Sequence, residues 1–202
     1  MTRPGITYAV QQLSQFVGSP THQHWEAAIH LLRYLIGCPS KGLFFPTKSF
    51  YQLTAYSDVD WFAFSDSRKS LTGYCVLLSS SLISSKTKKQ TAISRSSVEA
   101  EYRSMGSTIC ELQWILYILK DFQISPPLPI LLLCDNKAAI HITANPVFHE
   151  RTKHLKIDCH VVQHQYTARF ISFFLFFFFL LLPQLHLYIN YSSEFIIFSC
   201  FT

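Results

Sequence analysis

The chain predicts a mixed α/β fold, a sheet with flanking helices that is preceded by a helical hairpin and followed by an apolar tail. Three observations carry this. Alternating, strand-like segments cluster between residues 50 and 95. A long amphipathic helix follows from about Ser97 to Phe122, and after the break "SPPLP" comes the short apolar run "ILLLCD". A strand, a long helix and a further strand form the crossover unit of a parallel pair. With 202 residues, 49% of them hydrophobic, the chain has ample material for a core.

The first part reads as helical. "GITYAVQQLSQFV" sets Ile6, Val10, Leu13 and Val17 at helical spacing before "SPT" interrupts it. "HQHWEAAIHLLRYLIG" carries Trp25, Ile29, Leu32 and Ile36 on one side and ends at Gly37, a C-cap candidate. Two helices joined by a Pro-containing turn make a hairpin rather than a domain. Strands follow. In "YQLTAYSDVDW" Tyr56, Asp58 and Asp60 share one face and Ala55, Ser57 and Val59 the other. "TGYCVLLSS" and "SLISSKTKKQTAIS" read as two more strands, the three antiparallel to one another.

The stretch "SSVEAEY" opens the long helix. Its apolar positions run Val98, Tyr102, Met105, Ile109, Leu112, Leu116 and Leu119, in steps of four and three, which is one buried stripe. Ser96 and Glu99 have the spacing of a capping box. At roughly 100° per residue, Glu101 lies about 60° from the centre of the stripe, and Glu99 about 100° away on the other flank. Glu99 is therefore the cap, and Glu101 the carboxylate at the core's edge, costly unless a hydrogen-bond network, a base or a metal ion compensates it. "ILLLCD" is consistent with a strand covered on both faces, "NKAAIHITA" with a helix opening at once after it, and "RTKHLKIDCHVVQHQY" with a further helix.

Three acidic groups thus occupy comparable places: Asp58 at the end of the first strand, Glu101 in the first turns of the long helix, and Asp135 at the end of the fourth strand. If the first and fourth strands are neighbours, these side chains converge at one sheet edge, where open α/β sheets bind ligands. Hard cations such as Mg²⁺ take oxygen donors of this kind. Spacing alone favours the plainer reading, strand-end turn residues and a solvated helix flank.

The wider composition narrows the field. A formal charge of +5 and a pI near 8.9 suit a polyanionic partner without demanding one. Cys38, Cys75, Cys110, Cys134, Cys159 and Cys200 show no CxxC spacing, so they outline neither a disulfide framework nor a zinc ribbon and read as reduced thiols of an intracellular protein, cytoplasmic or nuclear. The nine histidines, His154 and His160 among them, lack the matched pairs of a zinc site. The N-terminal "MTRPGITYAV" has no apolar stretch of a secretory signal.

"LTAYSDVDW", "SRKSLTGYCVLLSSSLISSKTKKQTAISRSSVEAEYRSM", "ILLLCDNKAAIHITANPVFHERTKHLKIDCHVV", "RPGITYAVQQLSQF" and "HWEAAIHLLRYLIG" together resemble the end of the Pol polyprotein of copia-type LTR retrotransposons, over about residues 3 to 166. The resemblance implies that residues 1–48 are the C-terminal helices of a reverse transcriptase, that 49–166 are a C-terminally truncated RNase H-like domain, and that 167–202 are a Phe-rich tail not native to the domain. It implies cleavage of the RNA strand of an RNA/DNA hybrid by a two-Mg²⁺ mechanism, with no small-molecule cofactor. It puts Asp58, Glu101 and Asp135 on the catalytic, metal-binding positions, with Asp60 as fallback for the first. Arg151, Lys153, His154 and Lys156, in "HERTKHLK", would meet the phosphates of the hybrid. Lys86, Lys88 and Lys89 would meet phosphates as well or else blunt a sheet edge. Trp25, Trp114 and Tyr117 lie in apolar helical patterns and are expected in the core.

The departures define further expectations. The family's last strand and final helix, which brings a fourth acidic ligand, are replaced here by the tail; the glycine expected after "DxDW" is displaced by "FAF"; and the tryptophan usual after "LIS" is Ser85. No YxDD of a polymerase site is present, so reverse transcription by this chain is excluded, and the expected enzyme is an impaired one, with a non-catalytic nucleic-acid-binding remnant as the alternative. From Phe170 onward the only charged residue is Glu194 and ten of the eighteen phenylalanines are found there. That tail reads as the translation of a pyrimidine-rich tract, as a membrane anchor through residues 170–189, or as a buried helix, the last disfavoured by its unbroken phenylalanines. The thirteen residues from Phe170 to Leu182, with only Ser172 polar, fall short of the ~20 that span a bilayer.

Overall fold

The computed structural model describes residues 3–47, 49–144 and 156–175. After a 3₁₀ turn at Pro4–Ile6 come α1 (Thr7–Ser14) and α2 (His22–Gly37), then β1 (Leu53–Phe64), β2 (Lys69–Leu78), β3 (Ser81–Lys89), α3 (Ser97–Asp121), β4 (Ile130–Cys134), α4 (Lys137–Ala144), α5 (Lys156–Thr167) and β5 (Ile171–Leu175). The five strands form one sheet in the order β3-β2-β1-β4-β5. β1, β2 and β3 are antiparallel neighbours, whereas β4 runs parallel to β1 and β5 parallel to β4. An antiparallel meander followed by parallel strands joined through helices is the RNase H-like arrangement that the resemblance implies.

Each element forms for a local reason. Ser96 caps α3 by accepting from the Glu99 N–H at 3.2 Å. The Glu99 carboxylate takes the Arg95 N–H at 2.9 Å, one residue before the cap, so only half of the expected box is present. The stripe of α3 supplies the core: Tyr102, Met105, Ile109 and Leu112 are buried against Leu53, Ala55, Val76, Ile130 and Leu132 of the sheet. Each such side chain contributes roughly 1.5–3 kcal/mol of burial. At the other end of the molecule, Thr21 and His24 form a capping box at the start of α2. Gly37 ends that helix, but no described glycine has a positive φ, so the left-handed cap is absent.

Two expectations change. β1 does not stop at Asp58; it continues to Phe64 with its register broken between Asp60 and Phe64. In that break Phe62 has φ of 65°, a backbone conformation that costs a side-chain-bearing residue roughly 1–2 kcal/mol and that glycine adopts freely. The second change concerns the tail. The expected boundary at 166 leaves the sheet without its last strand, yet Ile171–Leu175 pair in parallel with Ile130–Cys134. Ile171 is 1% exposed and belongs to the buried cluster. The first residues of the segment read as a membrane anchor are therefore an edge strand paired on one side with β4; residues 176–202, with the rest of that segment, lie outside the described residues. Among the described residues no helix is long and apolar enough to cross a membrane.

Replacing Ile171 with alanine is expected to cost about 3 kcal/mol in urea unfolding. The same change at Phe174, which is 57% exposed, should cost about 1 kcal/mol or less. Equal effects at the two positions would contradict the strand and its register.

Candidate metal centre

The sheet register brings the first and third acidic positions level. β1 and β4 pair as far as Tyr56 opposite Leu133. Two residues further along each chain stand Asp58 and Asp135. The second acidic position comes from α3, which is held to β1 by a hydroxyl. Ser104 Oγ donates to the Asp58 carbonyl at 2.9 Å. Its single proton spent there, it accepts from Ser57 Oγ at 2.8 Å. Glu101 lies one turn before Ser104 on the same helix and is 3% exposed. α4 is fixed as well: the Tyr102 hydroxyl donates to the Ala139 carbonyl at 2.8 Å, and Asn136 Oδ1 accepts from the Ala139 N–H at 3.0 Å, capping the helix immediately after Asp135.

One member of the cluster was not legible beforehand. The ligating atoms of Glu101, Cys134 and Asp135 all lie within 4.8 Å of one another. Cys134 Sγ donates to Glu101 Oε2 at 3.8 Å and accepts from the Asn136 N–H at 3.5 Å. Burial, then the carboxylate of Glu101, push this thiol well above its ordinary range. It serves Glu101 as a hydrogen-bond donor. The only advance signal was its place beside Asp135 in "LLLCDN". Ser104 was likewise missed, although it stands three residues after Glu101 and so on nearly the same helical face.

The electrostatics set these carboxylates apart. Burial first, then Asp58 and Asp135, raise Glu101 to about 9, with the Cys134 hydrogen bond opposing. Burial first, then Asp135, raise Asp58 to about 6, partly offset by the Val59 backbone N–H. Partial burial raises Asp135 too. Among the described residues no Lys, Arg or His forms an ion pair with any of the three. Glu99 differs: 5% exposed, it is paired with Arg103 at 2.8 Å. An oxygen-rich, mutually repelling set without a basic partner fits a hard divalent cation such as Mg²⁺.

The remaining expected residues are distributed as follows. Asp60 is exposed beside the cluster. Arg151, Lys153 and His154 lie outside the described residues; Lys156 begins α5. Lys86 and Lys88 are exposed on β3, while Lys89 lies 4.0 Å over the Phe64 ring and donates to Gln15 Oε1 at 3.4 Å, engaged where α1 meets the strand. Trp25, Trp114 and Tyr117 are exposed rather than buried. At roughly 100° per residue, Trp114 stands nearly opposite the α3 stripe and Tyr117 well to one side of it, whereas Trp25 lies on an α2 face that no described residue covers.

The mixed sheet in the order β3-β2-β1-β4-β5, with its flanking helices, defines an RNase H-like fold. No family model matches the chain. It is 45% identical over 164 residues to the retrovirus-related Pol polyprotein from transposon RE2 of Arabidopsis thaliana, covering 81% of this chain and 11% of that one. The same protein from transposon RE1 of that plant is 46% identical over 164 residues, with the same coverage. That of transposon TNT 1-94 of Nicotiana tabacum is 35% identical over 162 residues, 80% of this chain and 12% of the relative. The chain belongs to the copia-type retrovirus-related Pol polyproteins. It spans only about a tenth of the length of these curated relatives. Among solved structures it is similar to LC11-RNase H1 isolated from compost, with a TM-score of 0.46 at 14% identity over 63% of this chain and 85% of that one. The same enzyme in complex with an RNA/DNA hybrid gives 0.46 at 12% identity, over 62% and 85%.

The raised carboxyls carry a pH signature. A carboxyl whose folded-state pKa lies above its unfolded value lends stability that is complete below the unfolded value and lost as pH rises through the folded one. For Glu101 that window runs from 4.5 to about 9, and for Asp58 from 3.8 to about 6. In EDTA, Tm should therefore fall across this range. Glu101→Gln should flatten the fall and melt higher than the parent on the alkaline side, as read by circular dichroism.

Proposed function

We propose that this domain hydrolyses the RNA strand of RNA/DNA hybrids with Mg²⁺, and that Asp58, Glu101 and Asp135 are its catalytic, metal-holding carboxylates. The observation that carries this reading is the convergence of three carboxylates, buried Glu101 of α3, half-buried Asp58 of β1 and exposed Asp135 just past β4, with no cation of the described protein to neutralise them. Bound Mg²⁺, two ions in the intact family, supplies Lewis acidity that activates water and stabilises charge on the leaving oxygen. The chain's own residues supply the rest. Ser57 and Ser104 fix the height of α3 on β1, so that Glu101 faces Asp58. Cys134 orients one oxygen of Glu101 and leaves the other to the site. The capped start of α4 presents Asp135 at the exposed mouth, where a phosphate backbone would approach.

The α1 and α2 segments read as the trailing helices of a polymerase, on the resemblance of "RPGITYAVQQLSQF" and "HWEAAIHLLRYLIG" to that part of the copia-type polyprotein. Cleavage should be impaired. After Asp158 the only acidic residue is Glu194, so the fourth carboxylate that the resemblance expects has no counterpart in a matching context. That same absence favours a second reading, a domain that binds hybrid without cutting it.

Cleavage of a labelled hybrid by the full chain, with and without Mg²⁺, separates the two. Mg²⁺-dependent cutting that drops ~10²-fold or more in Asp58→Asn and in Asp135→Asn supports the first. Cutting that survives Asp58→Asn would refute the site assignment, and binding with no cutting at any Mg²⁺ concentration would leave the second. In the same samples Mg²⁺ should raise Tm of the parent and have little effect on Tm of Asp58→Asn.

A further inference from the structure

The α1–α2 hairpin contains no fully buried residue among those described. His24 stacks on Phe16 of the α1 side at 3.9 Å, and Ala28, Leu31 and Leu35, which continue its face at helical spacing, are half-buried. The neighbouring face has no cover among the described residues. Trp25, Leu32 and Ile36 are 64%, 52% and 77% exposed, with half-buried Ile29 between them. Their steps of four, three and four are the seam of a heptad pattern, the spacing that seats one helix on another. A helix of this length gains most of its stability from tertiary packing, so an apolar seam left in water is a partner surface.

We propose that this seam pairs with the same seam of a second copy of the chain, the two α2 helices running antiparallel about a two-fold axis. The sequence of the seam is self-complementary in that direction. Trp25 meets the partner's Ile36, and Ile29 meets the partner's Leu32, at both ends of the axis. The flanking charges choose the same arrangement. Glu26 and Arg33 each follow a seam residue by one position, so antiparallel pairing sets Glu26 beside the partner's Arg33 twice over. Parallel pairing keeps those charges two turns apart, about 10 Å along the axis. Arg33 has no ion-pair partner among the described residues, and Glu26 has only His22, at 3.6 Å on the exposed surface. Ala28 and the partner's Leu35 fill the opposite flank, small against large. The pairing is independent of the metal centre and of any cleavage.

A seam of four residues makes a small interface, so a micromolar monomer–dimer equilibrium is expected. Sedimentation equilibrium of the full chain tests it, alongside Leu32→Glu, Glu26→Arg, Arg33→Glu and the double reversal Glu26→Arg/Arg33→Glu. All these positions are exposed, and unchanged circular dichroism verifies that the variants fold. Leu32→Glu should weaken dimerisation at least tenfold, and each single reversal about tenfold. The double reversal should return it to within about threefold of the parent. A parent that stays monomeric at about 100 µM, well above the expected Kd, overturns the proposal. So does association indifferent to Leu32→Glu, or a double reversal as weak as the singles, since no antiparallel pair then exists.

Discussion

Like charges held close together in a half-buried site are the constraint on which this molecule turns. Asp58, Glu101 and Asp135 repel one another, and burial makes each harder to ionise. Only hydrogen bonds offset that cost within the cluster: the Cys134 thiol at Glu101 and backbone N–H groups at Asp58 and Asp135. The rest is met from outside, by α3 packed across the sheet through Tyr102, Met105, Ile109 and Leu112 and by Ser104 locking onto β1. Glu99 and Glu101 make the contrast plain, two residues apart on one helix and both buried. Glu99 has Arg103 and a backbone N–H and is explained by structure alone. Glu101 has neither, so structure alone leaves its burial unexplained.

Hydrogen bonds that hold α3 also fix how little the site can adjust. Tyr102, adjacent to Glu101, is anchored to the first turn of α4 through the Ala139 carbonyl, with Thr143 Oγ1 2.8 Å away. Gln90, at the end of β3, donates to Thr72 and to the Ala100 carbonyl and accepts from Ser94. The residues flanking Glu101 are thus pinned on both sides, to the β1–β2–β3 meander and to α4. Preorganisation of this kind holds Glu101 in one place whatever it meets.

Much of this was legible from the letters, and for identifiable reasons. The α3 stripe was, because seven apolar positions in strict steps outweigh propensity noise. The order of strands and helices was, because turn residues separate them clearly. Glu101 was separated from Glu99 by helical angle, although both proved buried, because Arg103 lets a flank carboxylate sink inward. Cys134 and Ser104 escaped because a thiol in an apolar run and a serine in a helix carry no pattern; only the third dimension shows what they touch. Trp25, Trp114 and Tyr117 misled because an apolar residue at helical spacing may face the core or an absent partner, and one chain's periodicity does not distinguish them.

The tail shows how differently a fold and a site depend on sequence. β5 is Ile-Ser-Phe-Phe-Leu, drawn from a segment whose composition carries no sign of a designed domain, yet it completes the sheet. It can do so because strand pairing is a backbone transaction: β4 presents a row of carbonyl and N–H groups, and any apolar, β-prone run that places one large side chain inward satisfies them. Ile171 fills that inward position. A carboxylate at a metal is a different requirement, since one oxygen must arrive at one place and no neighbouring residue type substitutes for it. A sheet edge therefore tolerates a change of sequence more readily than a ligand set does.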